Sequence, residues 1–174
     1  MRELTDAQRL RAFMQALGAE ADRDTRVYFT GGATAVLLGW RQTTIDADIA
    51  LVPESDRLLR ALPRLKESLR MNVELASPAH FIPELPGWAE RSPFIAREGR
   101  VSFHHYDLYS QALSKIERGH AQDRQDVAEM LQRGLVEPVR MRELFAAIEP
   151  KLYRYPALDP ASFRRAVEEA LARG

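Results

Sequence analysis

The 174-residue chain contains no cysteine. That excludes disulfides, cysteine-based zinc sites and a thiol nucleophile, and it is compatible with a reducing compartment. There is no charge excess: Lys+Arg and Asp+Glu stand at 25 each. No global basic field therefore draws the chain onto nucleic acid, and only a local basic patch is open to it. No apolar run approaches the ~18 residues of a membrane helix. The opening MRELTDAQRLRAF lacks the apolar stretch of a signal peptide. These absences predict a cytoplasmic protein with no membrane partner. Repeats and low-complexity tracts are absent too. What remains is an ordinary globular composition, 45% hydrophobic and 29% charged, in a chain long enough to bury a core without staples.

The pattern predicts mixed structure. Residues 5–19 carry an apolar stripe of Leu10, Phe13, Met14 and Leu17, with Thr5 and Gln8 spaced as a capping box. Strands are expected at 26–30, 44–52 and 71–76, and a helix at 55–70 with a break just before Pro63. A proline-rich loop spans 77–93, and 94–108 reads as a hairpin turning at Glu98-Gly99. From 109 onward the pattern is helical, and Asp159-Pro160 opens the last helix. The expected fold class is α/β (α+β): a small mixed sheet with flanking helices and a helical C-terminal third. A core over 1–108 would carry a helical region over 109–174, packed on the same domain.

One stretch resists a purely structural reading. Residues 28–52 are YFTGGATAVLLGWRQTTIDADIALV. Strand, Gly31-Gly32, then helix is a layout that handles phosphate, because glycines let backbone N–H groups approach an anion. Thr34 can add a hydroxyl. Gly-Gly alone is more often a tight turn, and the stretch is neither a Walker loop nor a dinucleotide fingerprint. Asp46 and Asp48 alternate on a strand and so share one face, with Cα atoms about 6–7 Å apart. Ile45, Ala47 and Ile49 fill the other face. Two adjacent carboxylates repel unless water or a cation lies between them, and Mg²⁺ is typically held by one or two carboxylates plus substrate phosphates. A half-exposed polar strand is the plainer reading of Asp-x-Asp alone. The two features together follow the logic of metal-assisted nucleotidyl transfer.

GGATAVLLGWRQTTIDADI resembles the signature of the DNA polymerase beta-type nucleotidyltransferase superfamily. The Arg41…Thr44-x-Asp46-x-Asp48 spacing resembles the narrower set related to the AbiEii-type toxins of toxin–antitoxin pairs. That set has a later helical motif with a lysine, an arginine and an acidic pair. SKIERGHAQDRQDV offers Lys115, Arg118, Asp123 and Asp126. The resemblance covers roughly residues 26–130. It implies a minimal nucleotidyltransferase fold and an NMP moved from an NTP to an RNA (tRNA) or protein hydroxyl. It also implies a cognate antitoxin as partner. Gly31, Gly32, Thr34, Arg41 and Thr44 would contact the nucleotide, and Asp46 and Asp48 would hold Mg²⁺ or Mn²⁺. Lys115 would touch the triphosphate, and Asp123 or Asp126 would position it or the acceptor. The chain reads Gly-Ala where the family commonly has Gly-Ser. No third metal carboxylate is evident, with Glu74 and Asp107 the two candidates. The rival readings are a nucleotide-binding module without turnover and an antitoxin-like interaction protein.

Other features weigh toward structure. Lys115, Asp123 and Asp126 are what a salt-bridged helix surface also looks like, although Gly119 between them would let them converge. Arg57, Arg60 and Arg64 share a helical face, which reads first as solvated and second as a polyanion track. His104 and His105 point to opposite faces of a strand. Trp88 either anchors the proline-rich loop or stacks on a base.

Overall fold

The computed structural model describes residues 3–173. In chain order the elements are α1 (Ala7–Glu20), β1 (Thr25–Thr30), α2 (Gly32–Leu38), β2 (Asp46–Val52), α3 (Asp56–Ser68), β3 (Asn72–Leu75), α4 (Trp88–Arg91), β4 (Phe94–Glu98), β5 (Val101–His105), α5 (Leu108–Arg118), α6 (Ala121–Gln132), α7 (Pro138–Ile148) and α8 (Pro160–Ala172). Short 3-10 turns lie at Pro78–His80 and Glu149–Arg154. The strands form one mixed five-stranded sheet in the order β3-β2-β1-β5-β4. The chain divides into two compact units: residues up to Ser77 with Ser92–Tyr106, and Pro78–Arg91 with everything from Asp107 on.

The first unit holds the sheet. β1 runs antiparallel to β2 and parallel to β5, β2 is parallel to β3, and β4 is antiparallel to β5. The period of two puts Val27, Phe29, Ala47, Ile49, Leu51, Val73 and Phe103 on one face, all buried. Leu10, Phe13, Met14 and Leu17 of α1 and Leu58, Ala61, Leu62 and Leu65 of α3 complete that core. The Phe29 and Phe103 rings stack 5.9 Å apart. The opposite face carries a row of polar side chains that includes Asp46, Asp48, Asn72 and Glu74.

Three local expectations are corrected. Asp6, not Thr5, caps α1, accepting from the Arg9 N–H at 2.9 Å. Thr5 is drawn instead into a backbone bridge with Thr44. Ile45 lies just before β2 and is 71% exposed, so the core face of that strand begins at Ala47. α3 runs through Pro63 without a break. The proline sits on the exposed side while Leu58, Ala61, Leu62 and Leu65 hold the other side in the core. Tertiary packing of that stripe outweighs the one backbone bond the proline removes.

The second unit is helical. Asp107 caps α5, its carboxylate accepting from the Tyr109 and Ser110 N–H groups, and Gly119 ends the helix at φ +71°. Buried Leu113, Ile116, Val127, Met130, Leu144, Phe145, Phe163 and Val167 form its interior. Phe145 and Phe163 meet edge to face at 4.9 Å.

Candidate functional site

The register of β1 against β2 explains why the glycine pair and the second aspartate belong together. Thr30, the last residue of β1, pairs with Asp48. Gly31 follows at once with φ +64°, a left-handed conformation that an L side chain resists. A Cβ on Gly31 would lie 3.2 Å from Asp48 Oδ2. The bare backbone of the turn therefore lies directly against the carboxylate. At Gly32 a Cβ would overlap Thr44 Oγ1 and come within 3.1 Å of Arg41 Nη1. Gly31, Gly32, Arg41, Thr44 and Asp48 thus meet in one small region of the sheet unit. Thr44 is fixed there by its backbone bridge to Thr5 and by its hydroxyl, which donates to the Asp46 carbonyl at 3.0 Å.

Asp46 and Asp48 are half-buried on the polar face. β3 sets the neighbours beside them, Asn72 in register with Asp46 and Glu74 with Asp48. The Asn72 amide donates to Asp46 Oδ1 and, at 3.2 Å, to Glu74 Oε1. A neutral two-donor group thus links two acids and eases their repulsion without adding charge. Among the described residues no group of three or more His, Asp or Glu side chains is close enough to hold a metal ion. The pair Asp46 and Asp48 fits Mg²⁺ of the kind that takes its remaining ligands from water and substrate phosphate.

Thr34 is fully buried, with its hydroxyl 3.0 Å from His105 Nδ1 and 3.4 Å from the Phe29 carbonyl oxygen. The hydroxyl ties α2 to β5. Burial, reinforced by nearby His104, holds the His105 imidazole down to about 4, so the ring is neutral at ordinary pH.

The later charged motif lies in the helical unit and forms its own cluster. Lys115 Nζ donates to Asp126 Oδ2 at 2.9 Å and lies 3.8 Å from Asp123 Oδ1. Arg118 grips Asp123 through two hydrogen bonds of 2.9 and 2.7 Å. Asp123 also accepts from the His120 N–H at the start of α6. Burial by itself would raise the Asp123 carboxyl, but the Arg118 hydrogen bonds and charge, with Lys115 behind them, hold it below the usual range. Asp123 and Asp126 are 1% and 0% exposed and Lys115 is 7% exposed. For Lys115 to reach a triphosphate it must exchange these carboxylates for phosphate. Asp107, one of the two candidates for a third acid, is buried in this unit as the α5 cap and is held by Arg91 in a bidentate pair of 3.1 and 2.8 Å. Glu74 stands in register with Asp48.

Arg57 donates to the Glu20 carbonyl and Arg64 pairs with the Glu20 carboxylate, as expected of a solvated helix face. Trp88 opens α4, and its indole N–H donates to Glu84 at 3.3 Å. Sequence reasoning passed over Asn72 and read His105 only as a structural strand residue, with no partner named. A short strand opening in Asn gave no sign that its register would bring the amide to Asp46, and His105 became meaningful only once Thr34 was seen against it.

Comparison with curated proteins and with solved structures gives no match. A family model does match, over residues 6–167, and its description is nucleotidyltransferase of unknown function (DUF6036). The match takes in β1, the glycine turn, β2 and the charged segment of α5 and α6, and by it the chain belongs to this nucleotidyltransferase family.

Proposed function

We propose that the protein transfers a nucleoside monophosphate from a nucleoside triphosphate to a hydroxyl of RNA or protein. The observation that carries this reading is the approach of the bare Gly31 backbone to the Asp48 carboxylate, with Gly32, Arg41 and Thr44 beside it. Asp46 and Asp48 would hold Mg²⁺ or Mn²⁺, which when bound neutralises triphosphate charge as a Lewis acid. The turn at Gly31-Gly32, which carries no side chains, would meet a phosphate through its backbone, and Arg41 adds a cation at the Gly32 edge. Glu74, exposed and in register with Asp48, is the third carboxylate. It accepts the acceptor hydroxyl's proton at Oε2, since Oε1 takes the Asn72 amide. The acceptor oxygen bonds the α-phosphorus, the bond to the β-phosphate oxygen breaks, and pyrophosphate leaves. Lys115, Asp123 and Asp126 hold α5 against α6 in this reading.

A second reading has a specific observation in its favour. The Asn72 amide already occupies one oxygen of Asp46, and no three-acid group is present among the described residues. A module that binds nucleotide without turnover would look the same. The resemblance of the Arg41–Asp48 segment to AbiEii-type toxins adds a toxin role with a cognate antitoxin. Growth arrest on expression, relieved by Asp46→Ala/Asp48→Ala, would support it.

The test is incubation of the protein with each nucleoside triphosphate radiolabelled at the α-phosphate, Mg²⁺, and bulk tRNA or protein extract. Label on either acceptor that vanishes in Asp46→Ala/Asp48→Ala supports transfer. Triphosphate binding that depends on both aspartates, with no label on any acceptor, selects the binding module.

A further inference from the structure

The proline-rich segment and the turn Glu149–Arg154 enclose a groove of about 720 Å³ within the helical unit. That is the size of a small-ligand site. Glu84, Pro86, Trp88, Lys151, Arg154 and Tyr155 are among its lining residues. The walls are built rather than loose. The Tyr155 hydroxyl donates to the Ala79 carbonyl at 2.8 Å. Arg91 donates to the Pro86 carbonyl at 2.6 Å while its other nitrogens hold buried Asp107. The Glu84 carboxylate fixes the indole by accepting its N–H.

The chemistry of the groove is specific. Its lining includes a half-buried indole and two exposed cations. Among the described residues neither Lys151 nor Arg154 has a carboxylate salt-bridge partner; Arg154 lies near enough to Tyr155 to act on its hydroxyl and turns to the exposed Tyr153, its guanidinium 5.8 Å from that ring's centroid. An indole face takes a planar ring, and unneutralised ammonium and guanidinium groups take an anion. Glu84 and Glu90 on the rim can accept from an exocyclic amino group. One ligand class has a flat ring, amino groups and an anion together.

We propose that this groove binds a nucleoside phosphate unit, with the base on Trp88 and the phosphate on Lys151 and Arg154, without using Asp46 or Asp48. The unit comes either as a free mononucleotide or as the end of a single strand. The choice of ligand class rests on the nucleotidyltransferase reading, but the binding itself requires neither metal nor turnover.

The chain has two tryptophans, Trp40 and Trp88. In a Trp40→Phe background, Trp88 fluorescence reports on the groove. The probes are AMP, UMP, adenosine and a short single-stranded oligoribonucleotide, all in EDTA. Saturable quenching by a phosphate-bearing probe is expected, with adenosine at least about 5-fold weaker. Lys151→Ala/Arg154→Ala, a change of two exposed side chains, should weaken binding about 10-fold or more. Trp88→Leu, followed by calorimetry, should weaken it about 5- to 100-fold, the range for loss of one base–aromatic stack. Asp46→Ala/Asp48→Ala should bind as well as the parent. Binding of mononucleotides assigns the free source, and binding of the oligonucleotide alone assigns the strand end. No quenching by any probe overturns the proposal. Quenching that disappears in the aspartate double variant overturns it too, while leaving the transfer reading intact. Failed transfer with groove binding retained does the reverse.

Discussion

The sheet unit and the helical unit each carry a pair of aspartates, and the two pairs live in opposite surroundings. Asp123 and Asp126 are buried and face Lys115 and Arg118 at 2.7–2.9 Å. Asp46 and Asp48 are half-buried on a strand, with a neutral amide on Asp46 and a bare glycine backbone against Asp48. Buried acids must be matched by charge within the fold, or folding pays their desolvation. Acids on a half-exposed face keep contact with solvent, from which a cation can come. Under the proposed function, the comparison separates carboxylates that hold a structure from carboxylates placed for a ligand.

The largest expected effect strikes the helical pair. Lys115→Met takes the ammonium from buried Asp126, while Asp123 keeps Arg118, and should cost about 3–5 kcal/mol of stability. The denaturant midpoint is the measure, and Lys115→Met/Asp126→Leu should recover a substantial part of the loss. The matching change in the sheet unit, Asp46→Asn/Asp48→Asn, should alter stability by less than about 1 kcal/mol. It should lower transfer on the order of 100- to 1000-fold, the scale of losing a group that stabilises transition-state charge. If the asparagine pair proves the more destabilising of the two, the comparison is broken.

Acid should separate the units next. Burial depresses His105 from 6.5 to about 4, so the unfolded chain takes up this proton first. Its contribution is complete above pH 6.5 and is lost as pH falls toward about 4, up to about 3 kcal/mol in all. Asp123 is also depressed, but from 3.8. Its contribution is complete above that value and fades only as pH falls through its lower folded value. The sheet unit should therefore weaken between pH 6.5 and 4, and the helical cluster only below. Unfolding titrations of His105→Gln, whose amide can still reach the Thr34 hydroxyl, should show a flatter slope in the upper window and no change in the lower one.

The reach of the sequence differs between the two units for a physical reason. Gly31 and Asp48 were legible because both lie in one β–α–β stretch, where an antiparallel return brings its two ends together. Gly119 was legible as the break between Lys115 and the acids, and α5 does end there with Lys115 beside Asp126. Asn72 was not placed against Asp46, and Glu74 was one of two candidates beside the aspartates with no choice between them, because α3 intervenes and the parallel register of β2 and β3 is set by how that helix packs. Pro63 and Thr5 misled for a related reason. Local propensity gave one answer, and tertiary partners, the α3 core stripe and the Thr44 bridge, gave another.

The smallest effect is the most pointed. Gly31→Ala must adopt φ +64° and place a Cβ 3.2 Å from Asp48 Oδ2. Gly39→Ala must adopt φ +97° but meets nothing within 4 Å. Gly39 is left-handed helical at ψ +10°, a cost of about 1 kcal/mol for alanine, whereas Gly31 at ψ −131° lies in a region that favours glycine more strongly, so melting should show the larger loss in Gly31→Ala. Transfer, measured per folded molecule, should still separate them. The methyl at Gly31 pushes the Asp48 carboxylate by a few tenths of an ångström and fills the space assigned to a phosphate, for an expected loss of about 10-fold or more. The methyl at Gly39 touches nothing and should leave transfer unchanged. Equal losses of activity in the two variants would mean that the glycine turn serves only the backbone, and the approach of Gly31 to Asp48 would lose its functional meaning.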